Sequence, residues 1–107
     1  MELLDRFLNY VKVYTTSDEE NDSVVPSAER EFDLARILEK ELKEMGASDV
    51  QLTEHCYVYA LLPATAGKEN VTPIGFISHM DTAPDFSGEN VKPQIIENYD
   101  GGDVFLK

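Results

Sequence analysis

A chain of 107 residues is long enough for one small hydrophobic core and too short for two, and its 42% apolar content is that of an ordinary globular protein. Nine Lys and Arg against twenty-one Asp and Glu leave a formal charge of -12, which argues against nucleic acid or an anionic membrane surface as partners, since either needs clustered cations. The single cysteine, Cys56, rules out an internal disulfide and a secreted disulfide scaffold, so a cytoplasmic location is expected.

Residues Met1 to Arg6 lack the basic start and long apolar run of a signal peptide, and no stretch reaches the length of a membrane span. Leu3, Leu4, Phe7, Leu8 and Val11 recur at three- and four-residue spacing, which predicts an amphipathic helix over residues 2–14. Residues 15–25 are rich in Thr, Ser, Asp and Glu without periodicity and read as an exposed loop. A second helix is predicted over 28–45: Ser27 is placed as its N-cap, Glu29 suits the positive end of the dipole, and Phe32, Ala35, Leu38, Leu42 and Met45 share one face. Gly46 closes it.

Residues 50–53 and 57–62 are short strand candidates, joined by Glu54, His55 and Cys56 and plausible as an antiparallel pair. Pro63 ends the second, and a small polar connection leads to an apolar run, Pro73 to Ser78, which predicts a third strand. Gln94 to Tyr99 reads as a weak further strand. The fold class expected is therefore α/β: two helices followed by a mixed sheet of about three strands.

The third strand ends in the most informative segment, Gly-Phe-Ile-Ser-His-Met-Asp at 75–81. Residues two apart on an extended segment face the same side, so His79 and Asp81 would stand together at a strand end, where open α/β sheets place their ligands. One ring nitrogen of His79 can then bind a metal while Asp81 accepts the proton on the other. His-x-Asp also recurs by chance, and taken by itself a histidine after a strand is more often a satisfied polar residue than a ligand. His55 reads as a surface turn residue, Asp85 as a turn former, and Cys56 as a small core hydrophobe. Ser78 and Thr82 flank the pair, close enough to hydrogen-bond within it. A catalytic zinc takes three protein ligands, and only His79 is a persuasive one here.

From Ile74 to Gly102 the sequence, with its Ser-His-Met-Asp-Thr segment and Pro-Asp-Phe-Ser-Gly tail, closely resembles the aminotripeptidases of the M20 zinc-metallopeptidase family. Arg6-Phe7-Leu8-Asn9-Tyr10-Val11 and the helix end Glu44-Met45-Gly46 extend the likeness over essentially the whole chain. The resemblance implies that His79 is a zinc ligand and that Asp81 is the catalytic-site carboxylate that orients it. It further implies a cytoplasmic enzyme in which two zinc ions activate a water against the first peptide bond of a tripeptide, with a small peptide as substrate. The family's bridging aspartate, Glu-Glu pair, further acidic ligand and late histidine have no counterpart here. Residues 1–107 are thus expected to be the amino-terminal portion of a longer catalytic domain, without its lid or dimerisation domain and inactive alone. The alternatives are another dipeptidase or deacylase of the same family, and a small non-catalytic acidic α/β binding domain.

Overall fold

The computed structural model describes residues 1–106. Helix α1 spans Leu3–Tyr10 and helix α2 spans Glu31–Glu44, followed by strands β1, Ser48–Leu52, and β2, Val58–Leu61. The architecture is α/β, two helices followed by a sheet, as expected from the sequence. The sheet itself has two strands rather than three, and they are antiparallel rather than mixed.

Helix α2 begins three residues later than its periodicity suggests. Residues 28–30 form a tight turn, with Glu31 N–H donating to the Ala28 carbonyl and Phe32 N–H to that of Glu29, both at 3.1 Å. Ser27 does not cap it: the Glu31 carboxylate reaches back to the Ala28 N–H at 3.0 Å, while the Ser27 hydroxyl accepts from Asp18 N–H. At the other end Gly46, at φ +84°, completes a Schellman closure in which Gly46 N–H meets the Lys43 carbonyl and Ala47 N–H that of Leu42.

The turn from β1 to β2 runs through Thr53–Tyr57, with Cys56 in the left-handed region at φ +64° and its side chain buried. Asp49, at φ +49°, accompanies a register shift between Ser48 and Gln51, as a bulge requires. Helix α2 lies against both strands, and the buried apolar residues among those described are Ala28, Leu34, Ala35 and Cys56.

Helix α1 buries none of its residues fully. It is tied to α2 by polar contacts centred on Glu41, whose carboxylate accepts from Arg6 at 2.8 Å and from the Tyr10 hydroxyl. Its apolar stripe of Leu4, Phe7, Leu8 and Val11 shares a shallow groove with Val91, Pro93 and Ile95.

The third strand does not form. Residues 73–78 run without sheet hydrogen bonds, and Phe76 and Ile77 are 95% and 100% exposed. The apolar pattern there is a genuine strand signal, but a strand is a pairing, and neither β1 nor β2 bonds to this segment. Gln94 to Tyr99 is likewise no strand; Glu97 and Asn98 make a turn, Asn98 at φ +52°. The resulting radius of gyration, 17.3 Å, exceeds the ~13 Å of a compact domain of this length.

Two measurements test this packing. Ala35 has no accessible surface, so Ala35→Leu forces extra volume against the hairpin and is expected to cost about 1–3 kcal/mol in urea unfolding; an unchanged midpoint would show the α2–hairpin contact to be loose. Burial pushes the Tyr10 phenol above its ordinary value, and the bond to Glu41 adds to the shift. A group with a raised folded pKa contributes its full stability below the unfolded value and loses it as pH climbs through the folded one. Stability is therefore expected to fall above about pH 10, less so in Tyr10→Phe. Equal alkaline losses in the two chains would show the phenol to be idle.

Candidate functional site

The site is assembled by a contact between segments far apart in sequence. Thr16 and Thr82 form an isolated parallel bridge: Thr82 N–H donates to the Thr15 carbonyl at 3.2 Å, and Ser17 N–H to the Thr82 carbonyl at 3.0 Å. Thr15 and Thr16 are buried, contrary to the expectation that the loop after α1 is exposed throughout. Both of their carbonyls are partnered, that of Thr15 by the bridge and that of Thr16 by Arg30, whose Nε donates to it at 2.6 Å while its guanidinium stacks 4.3 Å from the Tyr14 ring centre. The Thr16 and Thr82 hydroxyls lie 3.0 Å apart, and Gly88 N–H donates to Thr16 Oγ1 at 2.8 Å.

This bridge fixes the backbone immediately after the histidine. His79 and Asp81 face one another as the extended spacing requires, with Nδ1 of the ring 3.1 Å from Asp81 Oδ1 and 2.8 Å from the Asp81 carbonyl. Both neighbours of Nδ1 are acceptors, so in the neutral ring the proton sits on Nδ1 and the lone pair on Nε2. The imidazole is 83% exposed.

The second carboxylate oxygen, Asp81 Oδ2, accepts a hydrogen bond from the Ser17 hydroxyl. That bond is the largest influence on the Asp81 carboxyl and, with the smaller help of His79, holds it below its usual range against the opposing effect of desolvation. Asp81 is thus ionised, occupied on both oxygens, and an acceptor toward the ring.

The other sequence candidates are placed differently. Thr82 bonds to Thr16 rather than to the His79–Asp81 pair, and Asp85 is an exposed turn residue. His55 is a turn residue beside Tyr57, with ring centres 6.1 Å apart. Cys56 is buried, which pushes its thiol up and keeps it protonated. Ser17 was not singled out by the sequence: its partner is 64 residues away and no local pattern marks it.

The pair opens on a broad groove of about 930 Å³, walled by α2, the hairpin and residues 76–81, with Leu38, Tyr57, Tyr59 and Phe76 among its apolar lining. No group of three or more His, Cys, Asp or Glu side chains converges on one point among the described residues. Nε2 of His79 can serve as one metal ligand. The described residues offer no complete coordination sphere around it. No described helix is long and apolar enough to cross a membrane.

Comparison with known proteins bears on this arrangement. No family model matches the sequence. The chain is 56% identical over 104 residues to the peptidase T of Caldanaerobacter subterraneus subsp. tengcongensis, covering 97% of this chain and 25% of that protein. It is 54% identical over 105 residues to the peptidase T of Geobacillus thermodenitrificans, covering 98% and 25%. With the peptidase T of Alkaliphilus oremlandii the identity is 50% over 105 residues, covering 97% and 25%. The likeness expected from residues 74–102 therefore extends along nearly the whole chain, which spans about a quarter of the length of the curated relatives it matches.

The bridge that carries the site can be disturbed without touching the site itself. A Cβ on Gly88 would lie 2.7 Å from Thr16 Oγ1 and 3.0 Å from Thr82 Oγ1, so Gly88→Ala must push the two threonines apart. The expected loss is about 1–3 kcal/mol in urea unfolding, with faster exchange of the Ser17 and Thr82 amides. Unchanged exchange at those amides would mean that the bridge does not depend on the glycine.

Proposed function

We propose that this chain, which belongs to the peptidase T family along nearly all of its length, contributes one zinc ligand and its orienting carboxylate to a metal-dependent aminotripeptidase. The observation that carries the reading is the state of His79: Nδ1 is held by Asp81, and Nε2 stands free at the edge of the groove. A neutral imidazole fixed in this tautomer by a carboxylate is the donor that zinc takes in histidine sites. His79 would hold the metal and Asp81 would not, since both of its oxygens are already engaged.

When bound, zinc supplies Lewis acidity toward the scissile carbonyl and toward the attacking water. The contribution of this chain is positional. Asp81 accepts the hydrogen bond from Nδ1–H and so raises the basicity of Nε2, and the bridge at Thr16 and Thr82 steadies the backbone that carries the pair. The remaining ligands of a two-zinc site, the general base and the groups that measure peptide length would come from elsewhere in the whole protein. Its substrate would be a small peptide, cut at the first peptide bond, and nucleic acid and membrane have no role. The lone cysteine supports a cytoplasmic setting.

The full-length protein is expected to release the amino-terminal residue from tripeptides, to lose that activity with a chelator, and to lose at least about a hundredfold in His79→Ala, by removal of a ligand. The 107-residue chain alone is expected to bind zinc weakly and to hydrolyse nothing, because one imidazole cannot close a coordination sphere. Chelator-resistant cleavage by the full-length protein, or tight stoichiometric zinc binding by the chain alone, would overturn the reading. Deacylation of N-acyl amino acids in place of tripeptide cleavage would reassign the substrate.

A further inference from the structure

We propose that Ser17 is a positioning residue of this site: its hydroxyl holds the Asp81 carboxylate in the one orientation that fixes the His79 ring and leaves Nε2 free for metal. The inference rests on the reading of His79 as a ligand and adds a residue to it from the other side of the fold.

The geometry runs in series. The Ser17 Oγ–H donates to Asp81 Oδ2, and Asp81 Oδ1 faces Nδ1 of His79 at 3.1 Å. A carboxylate on an extended segment can rotate about its Cβ–Cγ bond, a broad torsion with no strong preference of its own. A hydrogen bond to one oxygen removes that freedom and so fixes the other oxygen. Ser17 is itself anchored, because its N–H donates to the Thr82 carbonyl and the preceding Thr15 carbonyl accepts from Thr82 N–H. The hydroxyl is thus delivered from residues paired with the backbone it steadies.

Two acceptors share Nδ1, and they depend on Ser17 differently. The Asp81 carbonyl, 2.8 Å from Nδ1, is held by the backbone bridge and survives loss of the hydroxyl. The carboxylate does not. Removing the hydroxyl alone should therefore weaken the orientation of His79 without abolishing it, which places the effect at the lower end of the ten- to hundredfold range typical of residues that orient a metal ligand. A threonine can present the same donor from the same backbone position.

The test uses the full-length protein and zinc alone as the probe. Ser17→Ala is expected to raise the zinc dissociation constant about tenfold and to lower kcat by a similar factor with KM little changed, while Ser17→Thr restores both. In metal-free protein, nitrogen chemical shifts of His79 should report the Nδ1–H tautomer in the wild type and a mixture in Ser17→Ala. Amide exchange at Thr82 checks that the bridge persists in the variant. Zinc affinity and tautomer unchanged in Ser17→Ala, with the bridge intact, would overturn the proposal, as would a loss that Ser17→Thr fails to restore. Absence of zinc-dependent peptidase activity in the wild type would instead sink the functional reading, and the tautomer measurement would still decide whether Ser17 orients the ring.

Discussion

Two backbone hydrogen bonds between residues 15–17 and Thr82 hold the site in place. They tie the loop that leaves α1 to the segment that carries the histidine, and on this chain they are the contacts that stop residues 79–82 from moving as a free arm. The bridge has further polar support: Arg30, just before α2, donates to the Thr16 carbonyl, and Gly88 N–H from the following loop donates to the Thr16 hydroxyl. Buried polar groups left unpaired are costly, so the partners found by the Thr15 and Thr16 carbonyls and the Thr16 hydroxyl stabilise the bridge. The proposed site inherits its geometry from this polar junction more than from the small apolar core under α2.

Core and junction divide the labour of holding the chain together. Leu34 and Ala35 on α2, with Cys56 of the turn, supply a minimal apolar centre. Around it, long-range polar contacts set direction: Glu41 gathers Arg6 and Tyr10 to orient α1, and Ser17 meets Asp81 to orient the site. Hydrophobic burial is non-directional, whereas hydrogen bonds to fixed donors specify angle and register. A functional imidazole needs the second kind of restraint.

Much of this was legible from residue order. Periodicity located both helices, Gly46 marked a closure that the structure builds as a Schellman turn, and the spacing of His79 and Asp81 placed two side chains together that do hydrogen-bond. What was not legible has a common cause. The late start of α2 depends on the Glu31 carboxylate turning back to Ala28, the burial of Thr15 and Thr16 depends on a partner 66 residues away, and Ser17 acquires its role only through Asp81. Local patterns report what a segment prefers and are silent on what it meets. The unformed third strand is the same lesson in reverse: residues 74–77 have the composition of a strand and no neighbour to pair with.

That bare apolar strip has a thermodynamic consequence for the histidine that follows it. His79 is steadied on its carboxyl side by the junction at Thr82, while on its amino side residues 74–77 offer unpaired backbone to solvent. A sheet neighbour lying along that strip would stiffen His79 from its second side, so on the proposed reading of His79 as a ligand its docking and the capture of a metal ion would reinforce each other through linkage. Ion affinity and completion of the sheet would then be two readings of one coupled equilibrium.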